Sequence, residues 1–313
     1  IDFRLPFIKT SLRYVYPLFI LLHSVVCVGG FCGNAAMLAL IVRRKLYRSP
    51  TFFFLANLAL SDLLKAVIVL PITVMTQLCG NWVFGSFICF LLPMMHSFPV
   101  HASMLTYLVI AVDRYRLIIY PMKTRVPAGL CVIAVWMIGV CVVLPYVVYV
   151  KYIDLGSFLG QKFQGVGLCW VHMPEHIQEY IRATFVVISS RLEEPRRSST
   201  YHPNSPLSYP DPDEEDDIEV NIDFRKEKRT QKYLISMIVL FAMCWCPINI
   251  LGLVNHLVLE NEGNAGHLDV TYLTFTFFGF MSTCTTPVLF ASWCMSDQAK
   301  ERLKGYFRFS TKR

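Results

Sequence analysis

The chain has 313 residues, of which 55% are hydrophobic and only 16% are charged, and its formal net charge is +7. Soluble domains carry about 25% charged residues, so the composition excludes an ordinary soluble domain and indicates a protein that crosses a membrane several times. The basic residues cluster at the ends of apolar runs and are not interleaved with exposed aromatic residues, which argues against nucleic acid as a partner.

Four apolar runs come first, and we number the runs as spans. They are span one at about Tyr16–Val42, span two at about Thr51–Leu78, span three at Cys89–Pro121 and span four at about Leu130–Val150. Since a helix rises about 1.5 Å per residue, each run is long enough to cross the roughly 30 Å of bilayer hydrocarbon. From Phe90 to Val112, span three contains no Asp, Glu, Lys or Arg.

The second half of the chain is less regular. The candidate for span five, Tyr180–Ile188, has only nine residues. As a helix they cover about 14 Å, half of the hydrocarbon thickness. Residues 189–224 are rich in Pro, Ser, Asp and Glu, which predicts a disordered loop. Span six is about Tyr233–Leu259 and span seven about Val270–Met295.

The positions of Lys and Arg predict the orientation, because clusters of these residues mark cytoplasmic loops. The clusters lie near residues 43–48, 114–125, 225–232 and 300–313. All are cytoplasmic, with the N-terminus outside, only if a span crosses between residues 150 and 225. We therefore expect an all-α seven-transmembrane helix bundle at 1–295 whose fifth helix is abnormally short. Residues 296–313 are expected to form an amphipathic helix on the inner leaflet, followed by a tail.

Several short motifs occur in an order and at a spacing typical of one family. They are Gly33-Asn34, the NLALSD of 57–62, the WVFG of 82–85 before Cys89, Asp113-Arg114-Tyr115, Trp136 and the CWCP of 244–247. On these motifs, which cover spans one to four and six, the chain resembles a rhodopsin-like (class A) G-protein-coupled receptor of the neuropeptide-receptor type. The third cytoplasmic loop of such a receptor would be the segment 189–224.

The resemblance implies a disulfide between Cys89 and Cys169, which would tether the outer loop across the ligand pocket. Both cysteines are predicted at the outer face, the oxidising side, where disulfides persist. Two free thiols are the alternative. Cys79, also predicted outside, could compete for a partner.

The resemblance also implies a sodium site, because the family binds this ion at the acid of span two. Here that acid is Asp62, with Ser103 of span three and Ser282 of span seven as further ligands. An ionisable group at this depth is costly and indicates function. Lys65, however, lies three residues later on the same helical face and could pair with Asp62 and displace the ion. Sodium binding and a Lys–Asp pair remain alternatives, and no other cofactor is expected.

At the inner face the resemblance implies an activation switch. In the resting state Arg114, which precedes Tyr115, would pair with Asp113 and with Glu227 at the base of span six. Opening an Arg–carboxylate pair of this kind would expose a cavity for a heterotrimeric G protein. The alternative is a solvated charge cluster that contributes little.

Span six carries an aromatic pair, Phe241 and Trp245, four residues apart on one helical face above the kink that Pro247 imposes. In the family this pair relays ligand binding into an outward swing of the helix, and ordinary packing around a kink is the alternative. Span seven departs from the family beside its switch residue Pro287. Thr286 stands where Asn or Asp is usual and Phe290 where Tyr is usual, so weaker coupling is expected.

The ligand-pocket positions of the family correspond to four residues of spans three and six, His96, Val100, Trp245 and Asn249. His96 stands where amine receptors have Asp, which argues against a biogenic amine. Acidic residues in the long outer loop suit a peptide with basic residues, so an extracellular neuropeptide is the expected ligand.

Two functions follow from this reading. The first is a plasma-membrane receptor that activates a heterotrimeric G protein, with arrestin, a receptor kinase and membrane lipid as further partners. The second is a non-signalling truncated isoform that associates with full-length receptor and regulates it, because span five lacks about half its length. An enzyme is not expected, since the sequence has no nucleotide loop, metal cluster or nucleophile–base pair. A transporter would need an inverted-repeat or broken-helix signal, which the sequence lacks.

Overall fold

The computed structural model describes residues 6–82, 84–119, 126–160, 167–171, 214–258 and 265–294. Its helices are α1 Tyr16–Arg43, α2 Pro50–Leu64, α3 Leu70–Leu78, α4 Gly85–Ile119, α5 Ala128–Val148, α6 Leu155–Leu159, α7 Glu214–Val258 and α8 Ala265–Cys294. A π-helix at Lys65–Val69 joins α2 to α3, and short 3₁₀ turns lie at Thr10–Leu12 and Leu46–Arg48. Strands β1 Val150–Asp154 and β2 Gly167–Val171 form an antiparallel hairpin.

These helices confirm the all-α membrane bundle. Five helical segments of the described ranges are long and apolar enough to cross a membrane, namely Tyr16–Arg43, Pro50–Leu78, Gly85–Leu117, Arg229–Leu251 and Asp269–Cys294. They correspond to spans one, two, three, six and seven, and the shorter apolar helix Ala128–Leu144 to span four. The candidate span five, Tyr180–Ile188, and the expected surface helix at 296–313 lie outside the described residues.

The helix of span six begins earlier than expected. It starts at Glu214, within the segment 189–224 that the sequence predicts to be disordered, whereas residues 189–213 lie outside the described part. Positions 214–217 are all acidic, and negative charge is favourable in the first turn of a helix, beside its unpaired N–H groups. The same acidic composition that is typical of disorder therefore also suits a helix start.

The largest buried cluster lies in the half of the bundle that the basic loops mark as inner. It joins spans one, two, three, six and seven through mainly aliphatic and aromatic side chains, among them Met37, Ile41, Phe54, Leu58, Tyr107, Ile110, Met237, Phe241 and Phe290. Since lipid is as apolar as these residues, close packing and interhelical hydrogen bonds hold such helices together.

Spans one and seven approach each other closely at Gly33. A Cβ atom added at Gly33 would lie 2.8 Å from Cγ of Pro287. One residue later, Asn34 Nδ2 donates to the carbonyl oxygens of Gly30 and Thr283, both at 2.8 Å. The Gly33-Asn34 pair therefore allows contact and supplies the hydrogen bond that fixes the two helices.

We expect Gly33→Leu to destabilise the protein by about 1–3 kcal/mol, because the new side chain overpacks the contact with Pro287. Gly129→Leu is the matched control, since a Cβ at Gly129 meets no atom within 4 Å in the described structure. The measurement is the thermal unfolding midpoint of the detergent-solubilised protein. Equal midpoints for the two variants would contradict this prediction.

A wide turn interrupts span two immediately before Pro71. The Leu70 N–H donates to the Lys65 carbonyl, five residues back instead of four. The ring of a proline clashes with the carbonyl four residues earlier and its nitrogen has no hydrogen to donate, so a wider turn accommodates Pro71. The Ala66 carbonyl, five residues before Pro71, instead accepts the thiol of Cys27 from span one at 3.1 Å.

Candidate functional site

A disulfide fixes the outer end of span three. Cys89 is bonded to Cys169, with their Cα atoms 5.8 Å apart, and Cys169 lies in strand β2 opposite Tyr152. The bridge implied by the resemblance is therefore present, and it holds the β1–β2 hairpin against α4. Val150, where span four was expected to end, instead begins strand β1.

The WVFG segment supports this hairpin. The backbone of Trp82 pairs with Gly167 of β2, and its indole Nε1 donates to the Gly85 carbonyl at 2.7 Å. The Trp82 ring also packs edge-on against Phe84, with centroids 5.3 Å apart. The motif thus positions the loop that carries Cys169.

The segment before span one is attached to two other spans, an arrangement that the sequence analysis missed. The Lys9 ammonium and the Ser11 hydroxyl contact the two carboxylate oxygens of Asp269 at 2.9 and 2.8 Å. The Gly80 N–H donates to the Phe7 carbonyl at 2.9 Å. The outer ends of spans two and seven are therefore tied through the N-terminal segment. No local pattern could have revealed a pair separated by 260 positions.

The four residues of the predicted ligand pocket lie on α4 and α7. His96 and Val100 are half-buried on α4. Asn249 is exposed, and its amide donates to the Trp245 carbonyl of its own helix at 2.9 Å. Span five and the rest of the outer loop, which would supply other walls of the ligand pocket, lie outside the described residues. The pocket remains a prediction.

At the middle of span two, Asp62 and Lys65 form an ion pair. Lys65 Nζ lies 2.5 Å from Asp62 Oδ1, and both side chains are buried from solvent. The same ammonium group lies 5.6 Å from the centroid of the Phe241 ring on span six. The spacing of three residues indicated the ion pair, but the contact with Phe241 could not be read from the sequence.

This arrangement does not fit a sodium site. The ammonium group of Lys65 already occupies the cation position beside Asp62 Oδ1. The Ser282 hydroxyl accepts from Trp245 Nε1 at 3.1 Å and donates to the Gly279 carbonyl at 2.7 Å. Ser103 is buried, and its hydroxyl has no hydrogen-bond partner among the residues described. In the same part of the chain, no group of three His, Cys, Asp or Glu side chains is placed to hold a metal ion.

The aromatic pair of span six packs against three neighbouring groups, namely Tyr107, Phe280 and the ammonium group of Lys65 on span two. The Phe241 ring lies 6.2 Å from the Trp245 ring and 4.8 Å from Tyr107 of span three, between ring centroids. Trp245 meets Phe280 of span seven at 5.7 Å. Pro247 lies inside α7 and Pro287 inside α8. The pair is thus the contact point of spans two, three, six and seven, and its role as a relay remains a prediction.

At the inner end of span three, Arg114 lies 3.8 Å from the Asp113 carboxylate. Its guanidinium also donates to the hydroxyl of Thr51 on span two, a partner that the sequence analysis missed. The Arg114 and Asp113 side chains are only 12% and 18% exposed, so they are not a freely solvated charge cluster in this structure. Tyr115 is 60% exposed.

Glu227 lies on α7, but its side chain is outside the described part, so its pairing with Arg114 stays a prediction. Nearby on α7, two described side chains reach the last turn of α8. Arg229 donates to the Trp293 carbonyl at 3.2 Å, and the Tyr233 hydroxyl donates to the Ser292 carbonyl at 3.4 Å. Span six therefore satisfies carbonyl groups that end span seven.

Asn57 and Trp136 belong to a hydrogen-bonded group that links spans two, three and four. The Asn57 amide nitrogen donates to the Thr106 hydroxyl at 2.8 Å, and its oxygen accepts from Trp136 Nε1 at 2.7 Å. The sequence motifs indicated these residues separately but not their connection. Fully partnered polar side chains of this kind fix one packing of helices in a membrane.

Thr286 and Phe290, the two residues of span seven that depart from the family pattern, are both accommodated by the packing around them. The Thr286 hydroxyl lies 3.2 Å from the hydroxyl of Tyr107. Phe290 is only 2% exposed and lies edge-on to Phe52 and Trp293, with centroids 6.3 Å away in each case. A phenylalanine suits this apolar cluster because it has no hydroxyl that needs a partner.

Comparison with known proteins agrees with this geometry. The family described as "7 transmembrane receptor (rhodopsin family)" matches residues 33–193 and 196–290. The QRFP-like peptide receptor of Branchiostoma floridae is 24% identical over 294 residues, covering 86% of this chain and 72% of that protein. Somatostatin receptor type 1 of Rattus norvegicus is 23% identical over 303 residues, covering 89% and 68%. The chain therefore belongs to the rhodopsin family of seven-transmembrane receptors.

Proposed function

We propose that this chain is a plasma-membrane receptor, with an extracellular N-terminus, that binds a peptide and activates a heterotrimeric G protein. The observation that carries the proposal is the family match over most of the chain, together with relatives named as peptide receptors. The protein acts by a change in helix packing and not by catalysis. Arrestin, a receptor kinase and membrane lipid are further partners in this proposal.

The packing supports a mechanism centred on span six. A peptide bound on the outer side contacts spans three and six near Trp245 and changes its packing with Phe280. Because Phe241 packs on Tyr107 between ring centroids only 4.8 Å apart, an outward swing of span six separates these rings. At the inner end the swing uncovers the region of Arg114, where a G protein binds.

Peptide-dependent G-protein activation tests the proposal. The tagged chain is expressed in cells, surface protein is quantified, and peptides of the QRFP and somatostatin types are applied. Dissociation of G-protein subunits is followed by resonance energy transfer. We expect a concentration-dependent signal that Arg114→Ala, compared at equal surface level, reduces at least about tenfold, since charge-assisted contacts of arginine are the strong ones. Peptide binding at the surface without subunit dissociation would contradict G-protein activation.

A second function, a non-signalling isoform that regulates full-length receptor, is favoured by the nine-residue length of Tyr180–Ile188. Such a chain associates with full-length receptor in the membrane and lowers its surface level. An epitope tag in the loop 198–208 distinguishes the two functions. Staining of intact cells at this loop means that span five does not cross and supports the isoform. Staining only after permeabilisation, with an N-terminal tag accessible outside, supports the signalling receptor.

A further inference from the structure

We propose that the ammonium group of Lys65 is a permanent cation of this receptor. It occupies the position beside Asp62 that the family resemblance assigns to a sodium ion, and it holds span six in the resting arrangement through Phe241. The inference does not rest on the proposed ligand or on G-protein coupling, because ion dependence and stability test it.

The first step is the depth and burial of the pair. Lys65 lies fifteen residues after Pro50 and thirteen before Leu78, which places it about 20 Å along the helix from either end of span two. The lysine side chain therefore cannot reach water at either membrane surface, as lysines near helix ends do. An isolated charge at this position would be very costly, so Asp62 at 2.5 Å is its necessary counter-ion.

The second step is the oxygen set that the ammonium group occupies. Hard cations take oxygen ligands from anionic carboxylates and from neutral groups such as carbonyls and water. Asp62 supplies a carboxylate whose Oδ2 atom is buried without a hydrogen-bond partner among the described residues. The Ser103 hydroxyl, which the family resemblance implies as a further ligand, is likewise buried without a described partner. With Lys65 present, a second cation beside the ammonium would meet its repulsion. Without Lys65, the buried carboxylate of Asp62 requires a positive charge from another source.

The third step is the contact with span six. The Lys65 ammonium lies 5.6 Å from the Phe241 ring centroid, within the range of cation–π attraction, which is stronger where water is excluded. The Phe241 side chain is only 9% exposed. A free ion can leave when helices rearrange, whereas a lysine remains attached to span two. The resting packing of span six is therefore favoured by a cation that the receptor cannot lose.

The position of the π-helix gives this lysine a fixed backbone. The turn begins at Lys65, whose carbonyl accepts from Leu70, and the following carbonyl of Ala66 accepts from Cys27 of span one. Wide turns of this kind often occur at functional sites. The position of Lys65 is thus fixed both by the contacts of its side chain and by the hydrogen bonds of the surrounding backbone. A sodium ion, by contrast, is not covalently attached to the helix.

The first test compares thermal unfolding of the purified full chain in sodium chloride and in choline chloride at equal ionic strength. We expect the unaltered chain to unfold at the same temperature in both salts. Lys65→Met keeps most of the side-chain length and removes the charge. Its unfolding temperature should be higher in sodium chloride than in choline chloride by about 3 °C or more, since a bound ion stabilises the folded state. Lys65→Met combined with Asp62→Asn should lose that gain.

Sodium-dependent stability of the unaltered chain would overturn the proposal, and this result is available even if Lys65→Met does not fold. A folded Lys65→Met protein whose unfolding temperature is the same in both salts would overturn it as well. Lithium and potassium chloride are added as size controls, because a cation site at Asp62 should discriminate between ions that a general salt effect would treat alike.

The second test addresses the contact with span six. Lys65→Met, Phe241→Leu and the double variant are compared by thermal unfolding in choline chloride. If the ammonium group stabilises Phe241, the double variant should lose clearly less than the sum of the single losses, because contacting residues are not additive. As a control, the same comparison is repeated with Phe278→Leu in place of Phe241→Leu, since Phe278 is 45% exposed on span seven. Additive losses with Phe241→Leu would overturn the proposed hold on span six.

Discussion

Replacing Cys89 or Cys169 by serine is expected to lower the free energy of unfolding by about 2–5 kcal/mol and to remove most of the chain from the cell surface. The bond joins residues 80 positions apart and is the covalent link between α4 and the β1–β2 hairpin. Without it, the described part of the hairpin is held by non-covalent contacts, namely the apolar packing around Trp82 and Val150 and the backbone pairing of Trp82 with Gly167. Surface staining and thermal unfolding in detergent measure the two effects.

Cys79→Ser is the matched control, because Cys79 is a free cysteine near the same outer face. Burial raises the pKa of the Cys79 thiol, so this thiol is protonated at neutral pH and is a poor nucleophile for disulfide exchange. We expect Cys79→Ser to retain the surface level of the unaltered chain. If Cys79→Ser lowered the surface level as much as Cys89→Ser does, the assigned pairing would be contradicted.

Phe241→Ala is expected to destabilise the protein by about 3–5 kcal/mol, the usual cost of removing a buried phenylalanine. The ring packs on Tyr107 and Trp245 and covers the Lys65 ammonium. Removing the ring leaves a cavity. It also removes the aromatic face that partly compensates the buried Lys65 ammonium for its lost contacts with water. The measurement is the unfolding midpoint of the detergent-solubilised protein.

The control for this variant is Met243→Ala, two residues later on the same helix. Met243 is 60% exposed and faces the surroundings of the bundle, so its removal should change the free energy of unfolding by no more than about 0.5 kcal/mol. Similar losses for the two variants would mean that span six is not packed at Phe241 as described.

Apolar run lengths were sufficient to predict most of the fold. Spans one, two, three, six and seven are helices close to their expected positions, because a membrane requires each crossing segment to satisfy its own backbone hydrogen bonds. The ends of elements were less predictable. Glu214 begins a helix inside an acidic segment, and Val150 begins a strand, since tertiary context decides such boundaries.

The site could be predicted only where local spacing or resemblance carries information. The Lys65–Asp62 pair follows from a spacing of three residues on one helix, and the Cys89–Cys169 bond follows from the resemblance. The contacts of Lys65 with Phe241, of Arg114 with Thr51 and of Lys9 with Asp269 join residues far apart in the chain. Their distances depend on how helices rotate against each other, which hydropathy does not specify.

The hydrogen bonds from span six to the last turn of span seven have a consequence for how the bundle opens. Arg229 and Tyr233 supply donors to the carbonyls of Trp293 and Ser292, which otherwise face the end of their own helix without partners. Arg229 and Tyr233 lie well inside α7, so the last turn of span seven is tied to a continuous part of span six. The two segments therefore form one cooperative unit, and local opening of either one breaks the hydrogen bonds that join them. In amide hydrogen exchange such units open together, so we expect the last turn of span seven and the part of span six around Arg229 and Tyr233 to share one protection level.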